Sequence, residues 1–417
     1  MNVRITPSVL KGAVSAIGSK SDIHRLLILS ALCDTETVIE GFSECADTVA
    51  TIKCLRALGA GCEINGREVK VTPISEVCNG QTLDCGESGS TLRFLLPVAA
   101  AVAQSSQFIG SGRLPERPIG ELMTAMKNGG VGFSFDKLPL TISGRLKAGK
   151  YTLPGNVSSQ YVSGLLMALA VCEGESEIVL TSPLESASYV KMTLSTLELF
   201  GGRACETEKG YKVEGVKRLT SPKRVLADGD WSNAAFFIVS GVINEETTVM
   251  GLNPNSVQGD KKVIKMLESM GAKVSVENGC VSSQKSALCA KRIDLTDTPD
   301  LLPILAVAAS QATGATEFYG AKRLRLKESD RLLTVANMLS SLGGRADVLP
   351  DGLMVYPAAL TGGVVDGCND HRIVMAAAIA AAICKGETTV LGAEAVNKSY
   401  PKFFEDFKKL GGVTVFE

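Results

Sequence analysis

The chain has 417 residues, of which 45% are hydrophobic and 21% charged, so it is long enough for two domains of about 200 residues each. Because 43 lysines and arginines are balanced by 44 aspartates and glutamates, no net field draws the chain to nucleic acid or to a membrane surface. The twelve cysteines form no C-x-x-C pair and only two histidines are present, so we expect reduced thiols and neither a metal nor another cofactor.

The N-terminus runs directly into a strand-like stretch, Val3 to Thr6, without a basic and apolar leader. The most apolar stretches, such as Ile373 to Cys384, have about a dozen residues, whereas a bilayer span needs roughly 20. We therefore expect a cytoplasmic protein that has no secretory signal and does not contact a membrane.

One pattern recurs six times along the chain: an amphipathic run, then Gly-Gly or Gly-Ala, then a short β-like stretch. The glycines are 70, 72, 70, 72 and 68 residues apart. Glycine tolerates the left-handed conformation that closes a helix, so each copy predicts a helix, a closing glycine and a strand. The six positions are Gly59, Gly129, Gly201, Gly271, Gly343 and Gly411.

Each copy also contains a second, almost wholly apolar helix, and the complete repeat is β-α-β-α-β-β. Such helices belong in an interior, so we predict an α/β (α+β) fold with apolar helices inside and sheets and amphipathic helices outside, resembling an inverted α/β barrel. Pro97 should make the second apolar helix start late or kink. The predicted capping residues are Ser19, Ser88, Ser158, Ser232, Thr298 and Asn369.

The sixth copy ends at residues 413–416 with no chain left for its last strand, while Val3 to Thr6 has no partner of its own. We predict that these two segments pair. One domain then comprises residues 19–222 with repeats 1 to 3. The other comprises residues 1–18 and 223–417 with repeats 4 to 6, and we expect the active site in the cleft between them.

The polar and charged residues that could carry chemistry cluster at the starts of the predicted helices, where free N–H groups favour anions. In the first domain they are Lys20, Ser21, Arg25, Gly89, Arg93, Arg117, Ser158, Ser159, Gln160, Ser186 and Tyr189. In the second they are Asp230, Asn255, Gln258, Asp260, Asp300, Lys327, Glu328, Ser329, Asp330, Arg331, Asn369, Asp370, His371, Arg372 and Lys398.

A single lysine or arginine at a helix start is usually a solvated surface charge, and Ser158 to Gln160 could be only a helix cap. The repetition favours a site, because cations at helix starts oppose the preference of the helix dipole for acidic residues there. An ion pair at 4 Å is worth about 4 kcal/mol at an effective dielectric near 20, against about 0.3–1 kcal/mol for a helix end. We therefore expect these cations to hold phosphate and carboxylate groups.

Six motifs taken together resemble the 5-enolpyruvylshikimate-3-phosphate synthase family along the whole chain. They lie at residues 18–25, 114–119, 157–160, 255–260, 326–331 and 369–372. The resemblance implies an enzyme that transfers the enolpyruvyl group of phosphoenolpyruvate to the 5-hydroxyl of shikimate 3-phosphate and releases phosphate, in aromatic amino-acid synthesis. It also implies two domains of three repeats each, and it favours a monomer.

The resemblance also implies roles for individual residues. Those that match shikimate 3-phosphate ligands are Lys20, Ser21, Arg25, Ser158, Ser159, Gln160, Ser186, Tyr189, Asp300 and Lys327. Those that match phosphoenolpyruvate ligands are Lys20, Gly89, Arg117, Gln160, Arg331, Arg372 and Lys398. The residues that match proton-transfer groups are Asp300, Glu328 and Lys20.

The chemistry needs a base near the attacking hydroxyl and an acid near the methylene carbon. Our hypothesis is that Asp300 takes the hydroxyl proton and that Glu328 or Lys20 protonates the methylene. The sequence departs from the family pattern at Glu87, Ser90 and Phe94, and Arg323 stands where some relatives have an asparagine that touches shikimate 3-phosphate.

Three other functions compete with this interpretation. UDP-N-acetylglucosamine enolpyruvyl transferase shares the repeats but typically has a cysteine in the loop here spanning Ser111 to Pro118, which contains none. A clamp around DNA would need a basic interior, which the balanced charge disfavours. RNA 3′-terminal phosphate cyclase needs a nucleophilic histidine late in the chain, and His371 fits better as a residue that shapes the site.

Overall fold

Apolar and amphipathic helices alternate along the chain in a computed structural model that describes residues 1–417. The odd-numbered helices are buried along nearly their whole length, and α7 has no exposed residue. The even-numbered helices bury one face. The twelve α-helices are α1 Lys20–Ala31, α2 Ala46–Ala57, α3 Gly89–Val102, α4 Gly120–Asn128, α5 Ser159–Leu169, α6 Ala187–Leu199, α7 Trp231–Ile243, α8 Val263–Ser269, α9 Leu302–Ser310, α10 Arg331–Ser341, α11 His371–Ala381 and α12 Phe403–Lys409.

The chain divides into two compact units, each with its own apolar core. The N-terminal unit is Gly18–Asp228, and the C-terminal unit combines Met1–Ile17 with Gly229–Glu417. The first unit extends beyond residue 222, where the sequence placed its end. The reason is the strand Arg224–Leu226, which pairs in parallel with Thr37–Glu40.

Each unit contains three four-stranded sheets, one per repeat, in which the first two strands are parallel and the remaining pairs antiparallel. In the N-terminal unit the strands, in order across each sheet, are Arg224–Leu226, Thr37–Glu40, Glu68–Thr72 and Gly61–Asn65; Gln81–Asp84, Ser105–Ile109, Leu140–Ser143 and Gly132–Phe133; and Lys150–Leu153, Gly174–Leu180, Gly210–Gly215 and Arg203–Thr207. In the C-terminal unit they are Gly12–Ser15, Thr247–Met250, Cys280–Gln284 and Lys273–Glu277; Arg292–Asp294, Thr316–Tyr319, Gly352–Tyr356 and Arg345–Leu349; and Gly363–Asp366, Thr388–Leu391, Val3–Thr6 and Val413–Phe416.

The N-terminal strand completes the sixth repeat, which confirms the predicted pairing. Val3 lies opposite Phe416 and Thr6 opposite Val413, in an antiparallel register. The next strand, Gly12–Ser15, pairs in parallel with Thr247–Met250 of the fourth repeat. The first residues of the chain therefore fill two sheets of the C-terminal unit.

Three of the predicted helix caps are correct and three are wrong. Ser19, Ser88 and Ser158 accept backbone N–H bonds at the starts of α1, α3 and α5. The caps of α7 and α11 are Asp230 and Asp370 instead of Ser232 and Asn369, because an aspartate carboxylate one or two residues away accepts the free N–H groups. Thr298 precedes a 3₁₀ turn, Pro299–Leu301, and α9 starts only at Leu302.

Pro97 does not delay the second apolar helix, because α3 runs from Gly89 to Val102 with the proline inside it. Pro97 has no N–H for the carbonyl of Arg93, four residues earlier. Helix α5 packs at that carbonyl through Gly164, where a Cβ would lie 2.4 Å from Arg93 O. Close packing of the two helices thus accommodates the proline.

The repeated glycines close their helices as predicted in five of the six copies, with φ between 71° and 109°. The second copy differs. Gly129 has φ −85°, and its neighbour Gly130 takes the left-handed conformation at φ +92°. A double glycine lets the turn form one residue later. No helix of the structure has the length and apolar character that a membrane crossing requires.

Candidate active site

Lys20 is the first residue of α1, and a carboxylate from the neighbouring helix holds its ammonium group. Its Nζ lies 2.7 Å from Asp47 Oδ2, and both side chains are mostly buried. Asp47 is in the first turn of α2, where the helix dipole favours a negative charge. The pair thus fixes a cation at the start of α1.

Arg25 lies one turn further along α1 and is fully buried. Its Nε donates to Thr193 Oγ1 at 2.8 Å, its Nη1 to Ser21 O at 2.6 Å and its Nη2 to Tyr189 O at 2.8 Å. Burial lowers the pKa of Arg25 to about 10, although Asp22 opposes this change. The side chain therefore joins the start of α1 to the start of α6 and brings the predicted residues Ser21 and Tyr189 together.

Ser186 caps α6 in a left-handed conformation, with φ 53° and ψ 44°, and is almost completely buried. A non-glycine residue in this region carries a cost of order 1–3 kcal/mol, which surrounding structure must sustain. Such strain is concentrated at ligand sites, which supports the choice of Ser186 as a candidate.

Gln160 connects two helix starts through its amide. Its Oε1 accepts a hydrogen bond from Arg93 Nη1 at 2.8 Å, and its Nε2 donates to Ser90 Oγ at 2.8 Å. Arg93 also donates to Pro118 O at 3.3 Å, which places the loop containing Arg117 near the start of α3. Ser158 and Ser159 begin the same helix as Gln160.

Arg117 lies directly on the backbone of Gly89. A Cβ on Gly89 would be 2.7 Å from Nη1 and 2.8 Å from Cζ of Arg117, closer than carbon atoms approach these groups. Gly89 is the first residue of α3, so its N–H is one of the free donors of the helix end. The absence of a side chain at position 89 lets a guanidinium lie at that helix start.

In the C-terminal unit, Arg331 is fully buried among three carboxylates. Its Nε and Nη2 form a fork with Asp370, at 2.8 and 3.1 Å, its Nη1 lies 2.7 Å from Asp300 Oδ1, and its Nη2 lies 2.7 Å from Glu328 Oε2. Burial favours loss of the proton, but Asp370, Glu328 and Asp300 outweigh it and raise the pKa of Arg331 above its usual range. Arg331 therefore stays charged and fixed in orientation.

Asp300 is the centre of the same cluster. Its Oδ1 accepts from Lys327 Nζ at 3.3 Å as well as from Arg331, and its Oδ2 accepts from Arg372 Nη2 at 3.1 Å. Burial works to raise the pKa of Asp300, but the three cations, Arg372 foremost, hold it well below its usual range. Conversely, burial lowers the pKa of Lys327 despite the attraction of Asp300.

Lys398 lies in the last 3₁₀ turn of the chain, residues 393–398, and its Nζ donates to Asn369 O at 2.6 Å. Cys368 and Asn369 both have left-handed φ values, 50° and 51°, immediately before the cap of α11. This strained pair turns the Asn369 carbonyl toward Lys398. His371, the first residue of α11, is buried, with Nδ1 4.0 Å from Asp370 Oδ1.

Among the loop residues 255–260, only Asp260 is charged. Gln258 is buried and used internally, because its Oε1 accepts from Trp231 N at 3.2 Å and its Nε2 donates to Gly229 O at 2.8 Å. Asn255 is exposed. Asp260 is buried and faces Asp300 and Arg372.

Two carboxylates that hold cations of the candidate site had no assigned role in the prediction: Asp47, which pairs with Lys20 and was not named, and Asp370, which was named only as a residue at a helix start and bonds to Arg331. A signal for Asp370 exists in the sequence. Asp230, Asp300 and Asp370 are spaced by 70 residues, the period of the repeat, so each lies near the start of an apolar helix.

Comparison with known proteins shows which family this chain is similar to. The family model described as EPSP synthase (3-phosphoshikimate 1-carboxyvinyltransferase) matches residues 5–407. The 3-phosphoshikimate 1-carboxyvinyltransferase of Clostridium novyi is 38% identical, with 99% of this chain and 98% of that protein covered. The enzyme of the same name from Clostridium acetobutylicum is 40% identical, with 98% and 97% covered.

Solved structures of related enzymes show a similar fold. EPSP synthase from Acinetobacter baumannii superposes with a TM-score of 0.84 at 27% identity and covers all of both chains. The enolpyruvyl transferase NikO from Streptomyces tendae superposes with a TM-score of 0.82 at 20% identity over 99% of this chain and 98% of its own, which supports the shared two-domain α/β fold.

Proposed function

The chain belongs to the EPSP synthase family, and on that premise we propose that it transfers the enolpyruvyl group of phosphoenolpyruvate to the 5-hydroxyl of shikimate 3-phosphate. The products are 5-enolpyruvylshikimate 3-phosphate and phosphate. Acceptance of UDP-N-acetylglucosamine is not favoured, since the relatives described above carry the name 3-phosphoshikimate 1-carboxyvinyltransferase and the loop 111–118 has no cysteine.

The reaction is an addition followed by an elimination. The acceptor oxygen bonds to C2 of phosphoenolpyruvate as its proton leaves, and C3 gains a proton to become a methyl group. A proton then leaves C3, the C2–O bond to phosphate breaks, and the enol ether and free phosphate result. The protein must therefore supply a base for the hydroxyl, a group that gives and retakes the C3 proton, and cations for the leaving phosphate.

The acceptor ligands are proposed from the helix starts that Arg25 and Gln160 hold together. Hydroxyl groups at the starts of α5 and α6 suit a substrate with ring hydroxyls and a phosphate, because serines leave the positive helix ends uncompensated. The proposed ligands are Lys20, Ser21, Arg25, Ser158, Ser159, Gln160, Ser186, Tyr189, Asp300 and Lys327.

The phosphoenolpyruvate ligands are proposed from the cations that neighbouring groups already orient. Arg331 and Arg372 are held by carboxylates, and Arg117 by its contact with Gly89, so each presents its guanidinium at a fixed place. A forked guanidinium matches carboxylate and phosphate oxygens. The proposed ligands are Lys20, Gly89, Gln160, Arg117, Arg331, Arg372 and Lys398.

The observation that carries the mechanism is the contact of one carboxylate, Asp300, with Lys327, Arg331 and Arg372. Without substrate these cations make Asp300 a weak base, because they hold its pKa well below the usual range even though burial works to raise it. The substrate anions compete for the same cations, and each cation drawn away raises the proton affinity of Asp300. Asp300 thus becomes a base for the 5-hydroxyl when the site fills.

For the C3 proton we propose Glu328 or Lys20. Glu328 lies 2.7 Å from Arg331, and Lys20 pairs with Asp47, so each has a partner that stabilises its charged form. A substrate anion can draw Arg331 away from Glu328 or displace Asp47 from Lys20. Which of these partners is lost and which is retained decides whether Glu328 or Lys20 carries the proton at neutral pH.

We also propose that the protein is a cytoplasmic monomer. The support is its near-zero net charge, its unpaired cysteines and the family resemblance. Sedimentation of the full chain at about the monomer mass of 43.8 kDa is expected, and a species of twice that mass would contradict the proposal.

The reaction is tested by measuring phosphate release from phosphoenolpyruvate with each acceptor. We expect release with shikimate 3-phosphate and none above background with UDP-N-acetylglucosamine. Mass spectrometry should find the enol ether of shikimate 3-phosphate, with phosphate and product in equal amounts. Phosphate release without an acceptor, or with the nucleotide sugar alone, would overturn the proposal.

A further inference from the structure

Asp260 is a buried carboxylate that neither the reaction scheme nor the fold explains. It lies in the 3₁₀ turn Gly259–Lys262 with 4% of its surface exposed. Gln258, two residues before it, bonds to Trp231 N and Gly229 O and so fixes the turn against the start of α7. Asp260 is therefore held in place and shielded from solvent.

The charged groups that face Asp260 come from three elements. Asp230 lies at the start of α7, Asp300 in the turn Pro299–Leu301, and Arg372 at the start of α11. The two lysines of its own turn are engaged elsewhere, Lys261 with Pro254 O and Lys262 with Asp297. Arg372 is a cation that faces Asp260, together with the carboxylates of Asp230 and Asp300.

Arg372 also faces a second carboxylate, because its Nη2 lies 3.1 Å from Asp300 Oδ2. Two carboxylates, Asp230 and Asp300, thus face Asp260 together with Arg372. Burial, with Asp300 adding to it, raises the pKa of Asp260 to about 6.

We propose that Asp260 takes up a proton when phosphoenolpyruvate binds to Arg372. The neutral carboxyl group then no longer competes with the substrate for that guanidinium. The proposal rests on the function proposed above, because it takes Arg372 to be a phosphoenolpyruvate ligand. Substrate binding withdraws the cation that faces Asp260 and adds negative charge beside it, and both changes favour the protonated carboxyl.

This coupling makes binding of phosphoenolpyruvate depend on pH. Where binding takes up one proton, the association constant falls about tenfold for each unit that the pH rises, between the pKa of Asp260 in the free protein and its higher value in the complex. The affinity should therefore decline as the pH rises above about 6.

The test is isothermal titration calorimetry of the full-length protein with phosphoenolpyruvate at pH 7. The protein is first saturated with 5-deoxyshikimate 3-phosphate, an analogue of the acceptor that lacks the attacking hydroxyl and so prevents turnover. Binding heats in two buffers of different ionisation enthalpy give the number of protons taken up. At pH 7 a group with pKa about 6 is mostly ionised, so wild type should take up more protons on binding than Asp260→Asn, by up to one proton.

Asp297→Asn is the matched control, since it removes a partly exposed carboxylate that pairs with Lys262 of the same turn. It should take up as many protons as wild type. Equal uptake by wild type and Asp260→Asn would overturn the proposal. If Asp260→Asn does not fold, infrared difference spectra of wild type decide: phosphoenolpyruvate should produce a protonated carboxyl band at pH 7, and its absence refutes the inference.

The calorimetric result is separable from the proposed function. An enzyme that releases phosphate with shikimate 3-phosphate but shows no uptake dependent on Asp260 would retain the function and lose this inference. A protein that neither turns over the two substrates nor binds phosphoenolpyruvate would lose both.

Discussion

The two units begin their inner helices with different residue types. In the N-terminal unit, serines cap α1, α3 and α5 with neutral hydroxyl groups. In the C-terminal unit Asp230 and Asp370 cap α7 and α11, whereas Asp300, 70 residues from each, lies inside the 3₁₀ turn before α9. Both residue types are good caps, so helix formation does not require the difference.

The difference lies in what each start offers a ligand. A serine cap leaves the positive end of the helix available to a phosphate. An aspartate cap compensates the helix end and can also hold an arginine in a fixed orientation, as Asp370 does for Arg331. On the function proposed above, the N-terminal helix starts would bind substrate anions, and the C-terminal unit would also provide the carboxylates for proton transfer.

The largest expected effect comes from Asp300→Asn, which removes the acidic group at the centre of the C-terminal cluster. The amide keeps the shape but cannot accept the hydroxyl proton. Because a positioned general base contributes about 10²–10⁴-fold, we expect kcat to fall by about that factor. Steady-state phosphate release measures it, and Asp297→Asn, a carboxylate of the preceding loop, is the control with an expected kcat near wild type. A kcat near wild type for Asp300→Asn would remove the distinction between the units.

The second prediction concerns Asp370→Ser, which gives α11 a serine cap like those of the inner helices in the N-terminal unit. The serine can still cap α11, but the buried fork to Arg331 is lost, leaving that guanidinium with fewer partners. Removing one partner of a buried ion pair typically costs about 3–5 kcal/mol. We expect a loss of that size in the free energy of unfolding, measured by urea denaturation.

Asp330→Ser is the matched control for this substitution. Asp330 also caps a helix, α10, but its ion pair with Arg325 is about one-third exposed. Loss of a weak surface pair should cost no more than about 1 kcal/mol. If the two variants are equally stable, the aspartates act only as caps, and the contrast between the units has no energetic basis.

Much of the fold followed from the sequence because it depends on local patterns. Closing glycines, serine caps and apolar helices recur at one period, and the leftover strand Val3–Thr6 had one place to go. The errors arose where neighbouring structure decides. Helix α3 starts at Gly89 and not late in spite of Pro97, against which Gly164 of α5 packs, and the 3₁₀ turn at Pro299–Leu301 moves the start of α9 to Leu302.

Some features of the candidate site are also visible in local sequence patterns. Cations at helix starts are visible along the chain, and so were Lys20, Arg331 and Arg372. The pairing of these cations with carboxylates was not visible, because Asp47 and Asp370 are 27 and 39 residues from the cations they hold. Which carboxylate meets which cation is set by how the helices pack, and a single sequence gives no measure of that.

The last prediction concerns the N-terminal unit, where Gly89→Ala should affect binding and leave folding almost unchanged. The added methyl group would lie 2.7 Å from Nη1 of Arg117. The end of a long side chain moves at little cost, so the urea midpoint should hardly shift. The guanidinium, however, leaves the helix start at which we expect it to bind phosphoenolpyruvate. Since a hydrogen bond to a charged group is worth about 1.5–3 kcal/mol, the KM for phosphoenolpyruvate should rise by about 10- to 100-fold, with little change in the KM for shikimate 3-phosphate.

Gly120→Ala is the control, because Gly120 is likewise the first residue of its helix and a Cβ there would meet no atom within 4 Å. Equal KM values in the two variants would mean that the place of Arg117 on Gly89 is a matter of packing alone, and the N-terminal helix starts would then lose their best-defined cation.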